Sequence, residues 1–241
     1  MSLRARRSNL LSHVGTLSVC IALLVGLSGV VWAAPSNGTR FPQQGKFETG
    51  YQYNAMFKSP LSHSFGDLET QDHFYTLSFG AFDWLSLDGQ AGLGDVTGKN
   101  GKLPELDYNT GFAGGYGFRA RVYSNETWGV RAILGGQHIC VHPQARNINN
   151  DKYEAILDDW QASGIIAKDF KPLTLYLGIK GSDCELIYKL NKHDTKRISS
   201  KYHIGLITGA ELYLFDRKAR IGAEGRFFDE TALSVSASWL F

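Results

Sequence analysis

The sequence predicts an all-β chain that closes as an antiparallel, up-and-down transmembrane β-barrel of about ten strands, with roughly eight to twelve compatible with the segment ends. Three observations predict it. Strand-sized segments alternate apolar and polar residues with period two. The connectors between them alternate between short and long. The face opposite the apolar one carries charge, where a soluble barrel would keep its core.

Taken in order, the first segment, 46–57, sets Phe47, Thr49, Tyr51, Tyr53, Ala55 and Phe57 against Glu48, Gly50, Gln52 and Asn54. The second, 72–82, sets Tyr75, Leu77, Phe79 and Ala81 against Thr76, Ser78 and Gly80. In the third, 84–94, Leu85, Leu87, Ala91 and Leu93 oppose Ser86, Asp88 and Gln90. In the fourth, 108–122, Phe112, Tyr116, Phe118, Ala120 and Val122 oppose Gly115, Gly117, Arg119 and Arg121. The fifth begins with Trp128, Val130, Ala132 and Leu134 against Arg131 and Gln137, then loses its alternation before Cys140. In the sixth, Trp160, Ala162, Gly164 and Ile166 alternate with Asp159, Gln161 and Ser163. Upstream of it, Tyr153 to Leu157 breaks phase and reads as a helical turn or a bulge. The seventh starts at Leu173 and puts Lys180 on its polar face, and the eighth, 202–214, does the same with Glu211. The ninth, 219–227, sets Ile221, Ala223 and Phe227 against Arg220, Glu224 and Arg226. In the last, 232–241, Leu233, Val235, Ala237, Trp239 and Phe241 oppose Ser234, Ser236, Ser238 and Leu240.

Short turns are expected at 82–84, 123–126, 169–171 and 216–218, and long polar loops at Lys58–Gln71, Asp95–Asp107, Cys140–Lys152 and Ser182–Lys201. Outer-membrane barrels have short periplasmic turns and longer external loops. A periplasmic N-terminus puts every long connector outside, and only the last outer connector, 228–230, is short. The polar faces together define an expected lumenal charge network of Glu48, Asp88, Arg119, Arg121, Arg131, Asp159, Lys180, Glu211, Arg220, Glu224 and Arg226. Height counting groups Asp88 with Arg119 and Arg131, and Asp159 with Lys180. Two readings of the network follow: a narrow charge-selective passage, or a zipped interior that holds the barrel rigid. The second is favoured, because a barrel of this width has little room for both side chains and water.

Arg4, Arg6 and Arg7 precede an apolar run from Val14 to Trp32, and Val31-Trp32-Ala33 offers the small residues of a cleavage site. The expected organisation is a signal peptide over 1–33, a turn-rich lead-in over 34–45 and a barrel over 46–241. After the leader no run is long enough for a membrane helix, but a membrane strand needs only about 9–11 residues. Mean hydropathy is −0.19, as alternating strands require. The formal net charge of +2 is spread along the chain, with no basic block to track a phosphate backbone, so nucleic acid is not an expected partner.

The terminal Trp239-Leu240-Phe241, together with the leader, resembles the small single-domain outer-membrane β-barrel proteins of the OmpA-transmembrane-domain type. The resemblance covers 46–241 at the level of pattern and names no subfamily. It implies residence in the outer membrane among its lipid and lipopolysaccharide, a monomer, and recognition of Trp239 and Phe241 by the barrel assembly machinery. A protein of structural or narrow-pore type with exposed surface loops is expected, with no cofactor. An outer-membrane enzyme, an omptin-like protease or a lipid A-modifying enzyme, is the alternative. The protease is disfavoured because adjacent Asp158 and Asp159 point to opposite faces of a strand and cannot share a water, and the lipid A enzyme because His73, His138 and His203, near the outer strand ends, form no motif. His138 and His142, four apart on a strand running into a loop, do not make a metal site. Cys140 and Cys184 form a candidate disulfide if loop folding brings their Cα atoms within about 7 Å.

Overall fold

The computed structural model describes residues 37–101, 106–191 and 194–241. The leader expected over 1–33 lies outside the described residues, as do residues 34–36 of the lead-in.

The strands are β1 (Phe47–Pro60), β2 (Asp67–Phe82), β3 (Leu85–Gly94), β4 (Thr97–Lys99), β5 (Leu106–Asp107), β6 (Asn109–Asn125), β7 (Val130–Gln144), β8 (Arg146–Ile148), β9 (Asp151–Asp169), β10 (Leu173–Leu190), β11 (Asp194–Ser199), β12 (Ile204–Leu214), β13 (Ala219–Phe227) and β14 (Thr231–Leu240). Ten of them form an antiparallel ring in the order β1-β2-β3-β6-β7-β9-β10-β12-β13-β14. The ring closes where β1 pairs with β14, Tyr53 opposite Val235 and Glu48 opposite Leu240. The short β4, β5, β8 and β11 extend the sheet at one end. We call this the loop end, and the other, which carries the four short connectors and the start of β1, the turn end.

Closure leaves the ten-strand ring without an edge, and the alternation then decides what faces out. Leu87 is 49% exposed while Ser86 beside it is fully buried, so β3 turns its apolar face outward. Tyr75, Phe112, Tyr116, Ile166, Leu177, Ile179, Ile221 and Val235 are outward and exposed as well. Aromatic girdles border this band, with Phe82, Trp84, Trp128, Phe215 and Trp239 at the turn end and Phe57, Tyr202 and Phe228 toward the loop end. An outward apolar band between aromatic girdles is the polarity of a membrane barrel.

Three expected loops are mostly strand, and in Lys58–Gln71 β1 runs to Pro60 and β2 starts at Asp67, which leaves only 61–66 between them. β7 runs on to Gln144, β9 starts at Asp151 and β10 reaches Leu190, so Cys140–Lys152 and Ser182–Lys201 are extended walls with short tips. Tyr153–Leu157 is neither a helical turn nor a bulge. It continues β9 in register with β10, Leu157 opposite Leu186. What changes is the polarity of the faces. Near the loop end Ile139, Val141, Ala155, Leu157, Leu186 and Tyr188 point inward, while Asp158, Asp183 and Glu185 face out. A wall standing in water needs an apolar interior and a polar exterior, the reverse of a wall standing in lipid.

These inward residues join Met56, Leu61, Leu68, Phe74, Val96, Tyr108 and Ile198 in one apolar cluster that caps the loop end. The rim is uneven: β9 has 19 residues and β13 only 9. Above the low β13–β14 hairpin, Leu61 bridges to Ser200 and the Lys201 amide donates to the Pro60 carbonyl at 2.7 Å.

Candidate functional site: the lumen

The lead-in does not trail away from the barrel. Residues 37–42 cross the inside of the turn end as a strap, and the chain then turns at Gln43–Lys46 beside Gly80 to enter β1. Arg119, on β6, donates from Nη1 to the carbonyls of Asn37, Gly38 and Arg40, each at 2.9 Å. Arg220, on β13, donates to the Asn37 carbonyl at 2.9 Å. Glu211, on β12, accepts the Thr39 amide at 2.8 Å and the Thr39 hydroxyl. Arg40 pairs with Glu48 at 2.7 Å, and Phe41 lies under the guanidinium groups of Arg119 and Arg121. Phe41 also packs against the buried cluster of Ile133, Ile165, Ala167, Tyr176 and Ile207.

Gly38 is fixed by this crossing. Its φ of +80° is left-handed, and an added Cβ would stand 1.5 Å from Arg220 Nη1 and 2.2 Å from Glu211 Oε1.

Two layers of charge fill the interior. In the layer around the strap, Arg119 holds Asp88, Arg220 holds Glu211 at 2.8 Å, and Arg220 Nε lies 3.4 Å from Glu48. Ser238 links Arg220 and Glu48 by hydrogen bonds, and Tyr213 donates to Glu211 at 2.6 Å. In the layer nearer the loop end, the buried Lys180 ammonium lies 2.8 Å from Asp229 and pairs with Glu230. Arg226 pairs with Glu230 at 2.6 Å and Glu224 at 3.4 Å, and donates to Ser234 at 2.7 Å and to Asn54. Tyr176 donates to Glu224 at 3.0 Å. Each ion of these two layers meets an opposite charge, which is what makes charge tolerable away from water, whereas the buried Asp72 and Asp159 are held by neutral hydrogen-bond donors, Asn54 and Thr70 on the one and Ser182 and Gln161 on the other. A cavity of about 20 Å³ remains beside Asn37, Asp88, Arg119 and Gln137, room for about one water.

Asp88 and Arg119 meet as height counting expected. Arg131 does not join them: it binds Asp169 at 2.6 Å and the Thr39 hydroxyl at 3.1 Å, nearer the turn end. Arg121 stands at the rim rather than in the network, donating to the Asp83 carbonyl at 2.6 Å. Lys180 takes Asp229 and Glu230 as its ion pairs, and Asp159 sits four residues higher by register, opposite Cys184, where Ser182 donates to it at 2.8 Å. The hairpin tip folding inward supplies the nearer acids.

Asp158 faces out and Asp159 in, and His138 contacts Asp158 on the outer wall. His142 contacts Cys140 on that same wall. Cys140 and Cys184 are unbonded, on β7 and β10 with β9 between them; Cys184 is buried inside and Cys140 belongs to the outer wall. The candidate disulfide is not formed, since the two thiols leave opposite faces of the sheet. Among the described residues no three His, Cys, Asp or Glu side chains converge as a metal site.

Sequence reasoning missed Thr39, Arg40, Asp229 and Glu230, and it placed Asn54 and Ser238 on polar faces without joining them to the network. Adjacent acids in a three-residue connector, next to a strand whose polar face ends in Arg226, were the one available signal.

No protein-family model and no curated protein matches the chain. Among solved structures it is similar to an outer membrane channel from Pseudomonas putida F1, at 10% identity and a TM-score of 0.44, covering 87% of this chain and 100% of that one. It is also similar to the transport unit of the autotransporter AIDA-I from Escherichia coli, at 13% identity and a TM-score of 0.40, covering 85% and 91%. A third is the outer membrane protease OmpT from Escherichia coli, at 8% identity and a TM-score of 0.38, covering 86% and 100%. Likeness at this level assigns no function.

Proposed function

We propose that the protein is a closed outer-membrane β-barrel of structural type, a rigid membrane scaffold that displays its extended walls outside the cell, and neither a pore nor an enzyme. The observation that carries the reading is the double obstruction of the lumen, by the strap and its ion pairs at the turn end and by the apolar cluster at the loop end. The outward apolar band and its girdles support the membrane, and the inverted polarity of β7, β9 and β10 supports placing the loop end in external water. On this reading the barrel is a monomer, surrounded by lipid and lipopolysaccharide and inserted by the assembly machinery through Trp239 and Phe241.

Single-channel recording in planar bilayers tests it. The intact barrel is expected to be silent. Reproducible open steps from barrels with the strap in place would overturn the closed reading in favour of a narrow pore.

A further inference from the structure

The low β13–β14 side of the rim bears a groove of about 860 Å³ between the upper end of β1 and the start of β12. Its charged and aromatic lining is Lys58, His63, Lys201, Tyr202 and His203, with Asp67 as the acid, and seryl hydroxyls, Asn100 and the apolar Pro60 and Leu61 lie among them. The register fixes its height. Lys58 stands opposite Thr231, and Phe227 opposite Leu206, so the hairpin tip 228–230 lies directly below, between β1 and β12. There the outward band ends in Phe57, Ile204 and Phe228, exposed by 55%, 74% and 75%. The cationic groove therefore begins one or two residues above the last lipid-facing side chains.

We propose that this groove binds the phosphorylated sugar headgroup of an outer-leaflet glycolipid, a site that rests on the outer-membrane reading above. A cation at that height faces headgroup phosphate, and polar hydroxyls beside it suit a sugar. The partner Lys58 already has is weak: Asp67 lies 3.6 Å away and the Lys58 side chain is 56% exposed. Phosphate brings more charge than one carboxylate and can take its place. Lys201 is set by its neighbour, with Nζ 5.1 Å from the centre of the Tyr202 ring. The exposed apolar wall below gives acyl chains a surface, which a free phosphate or a soluble glycan would not use.

The folded barrel in detergent micelles is titrated with bis-phosphorylated lipid A, with its dephosphorylated form and with inorganic phosphate, and retention is read by native mass spectrometry. Phosphorylated lipid A is expected to be retained, at least about tenfold more weakly by the Lys58→Ala/Lys201→Ala variant, and equally by Lys218→Ala at the turn end. Equal retention of the dephosphorylated lipid, or no loss in the double variant, would overturn the site. Equal occupancy by inorganic phosphate would overturn the lipid as its source. Membrane fractionation separates the two readings: wild-type protein absent from the outer membrane removes the parent reading, whereas normal fractionation with unchanged lipid retention in the double variant removes the groove alone.

Discussion

Arg119 holds Asp88 through two hydrogen bonds of 2.7 Å, from Nε and Nη2, while its third nitrogen holds the strap. One buried guanidinium thus joins the barrel wall to the segment that crosses its mouth. Removing Asp88 leaves this cation without its acid. Asp88→Ala is expected to destabilise the barrel by about 3–5 kcal/mol, the usual cost of breaking a buried pair. Adding Arg119→Met should recover part of the loss, and only part, because the strap carbonyls then lose their donor. A double-mutant cycle on unfolding in detergent measures the coupling, and strict additivity would refute it. Arg131→Gln should not couple to Asp88, since Arg131 is engaged by Asp169 and Thr39.

Gly38 tests the strap itself. Gly38→Ala puts a methyl group into the Arg220–Glu211 pair and onto a left-handed backbone. The strap is expected to leave the mouth while the ring of strands persists. With Cys140 replaced by Ser, because that free thiol stands on the outer wall, a cysteine introduced at Thr39 should then react with a water-soluble maleimide in the Gly38→Ala background and stay protected without it. Equal protection in both would mean that the strap tolerates the methyl in place.

The ring of strands was legible because period-two alternation is local: Leu87 out and Ser86 in follow from the chain alone. The lumenal faces were legible for the same reason, since Glu48, Asp88, Glu211, Arg220, Glu224 and Arg226 needed only the phase of their own strands. Pairing was not. Which ions meet depends on inter-strand stagger and on segments that re-enter the lumen, so Lys180 met the hairpin acids and Arg131 met Asp169. The upper walls were hidden for a different reason. β9 keeps its phase through Leu157, but its solvent changes from lipid to water, and a pattern tuned to one solvent reads as broken in the other. The strap gave no periodic signal because it is a single unpaired crossing, held by its backbone carbonyls and by the side chains of Thr39 and Arg40 alike.

The change of solvent along the outer wall predicts where arginine is tolerated. Leu87 lies within the exposed apolar band, whereas Ile156 faces outward on β9 between Glu154 and Asp158. Leu87→Arg is expected to cost about 2–4 kcal/mol, the penalty for arginine facing lipid near the midplane, and Ile156→Arg less than about 1 kcal/mol. Folding yields into bilayers, read as heat-modifiable bands, compare the two. Equal losses would mean that the belt extends to Ile156. Ser86→Arg is no neutral control, because Ser86 is fully buried and donates to Asp88.

Phe241 allows recognition to be separated from stability. Its amide donates to the Phe47 carbonyl at 2.9 Å, which closes the seam beside β1, while its residue surface is 65% exposed. Phe241→Ala keeps the backbone bond and removes a ring that packs little. Unfolding of the refolded variant in detergent should therefore shift by no more than about 0.5 kcal/mol, as for an exposed substitution away from packed features. If the ring is what the assembly machinery reads, the same variant should accumulate poorly as folded barrel in the outer membrane of cells. A severalfold loss in cells with unchanged stability in vitro supports recognition. Parallel losses in both would make Phe241 a seam residue, and no loss in either would leave the terminal aromatic without a role in assembly.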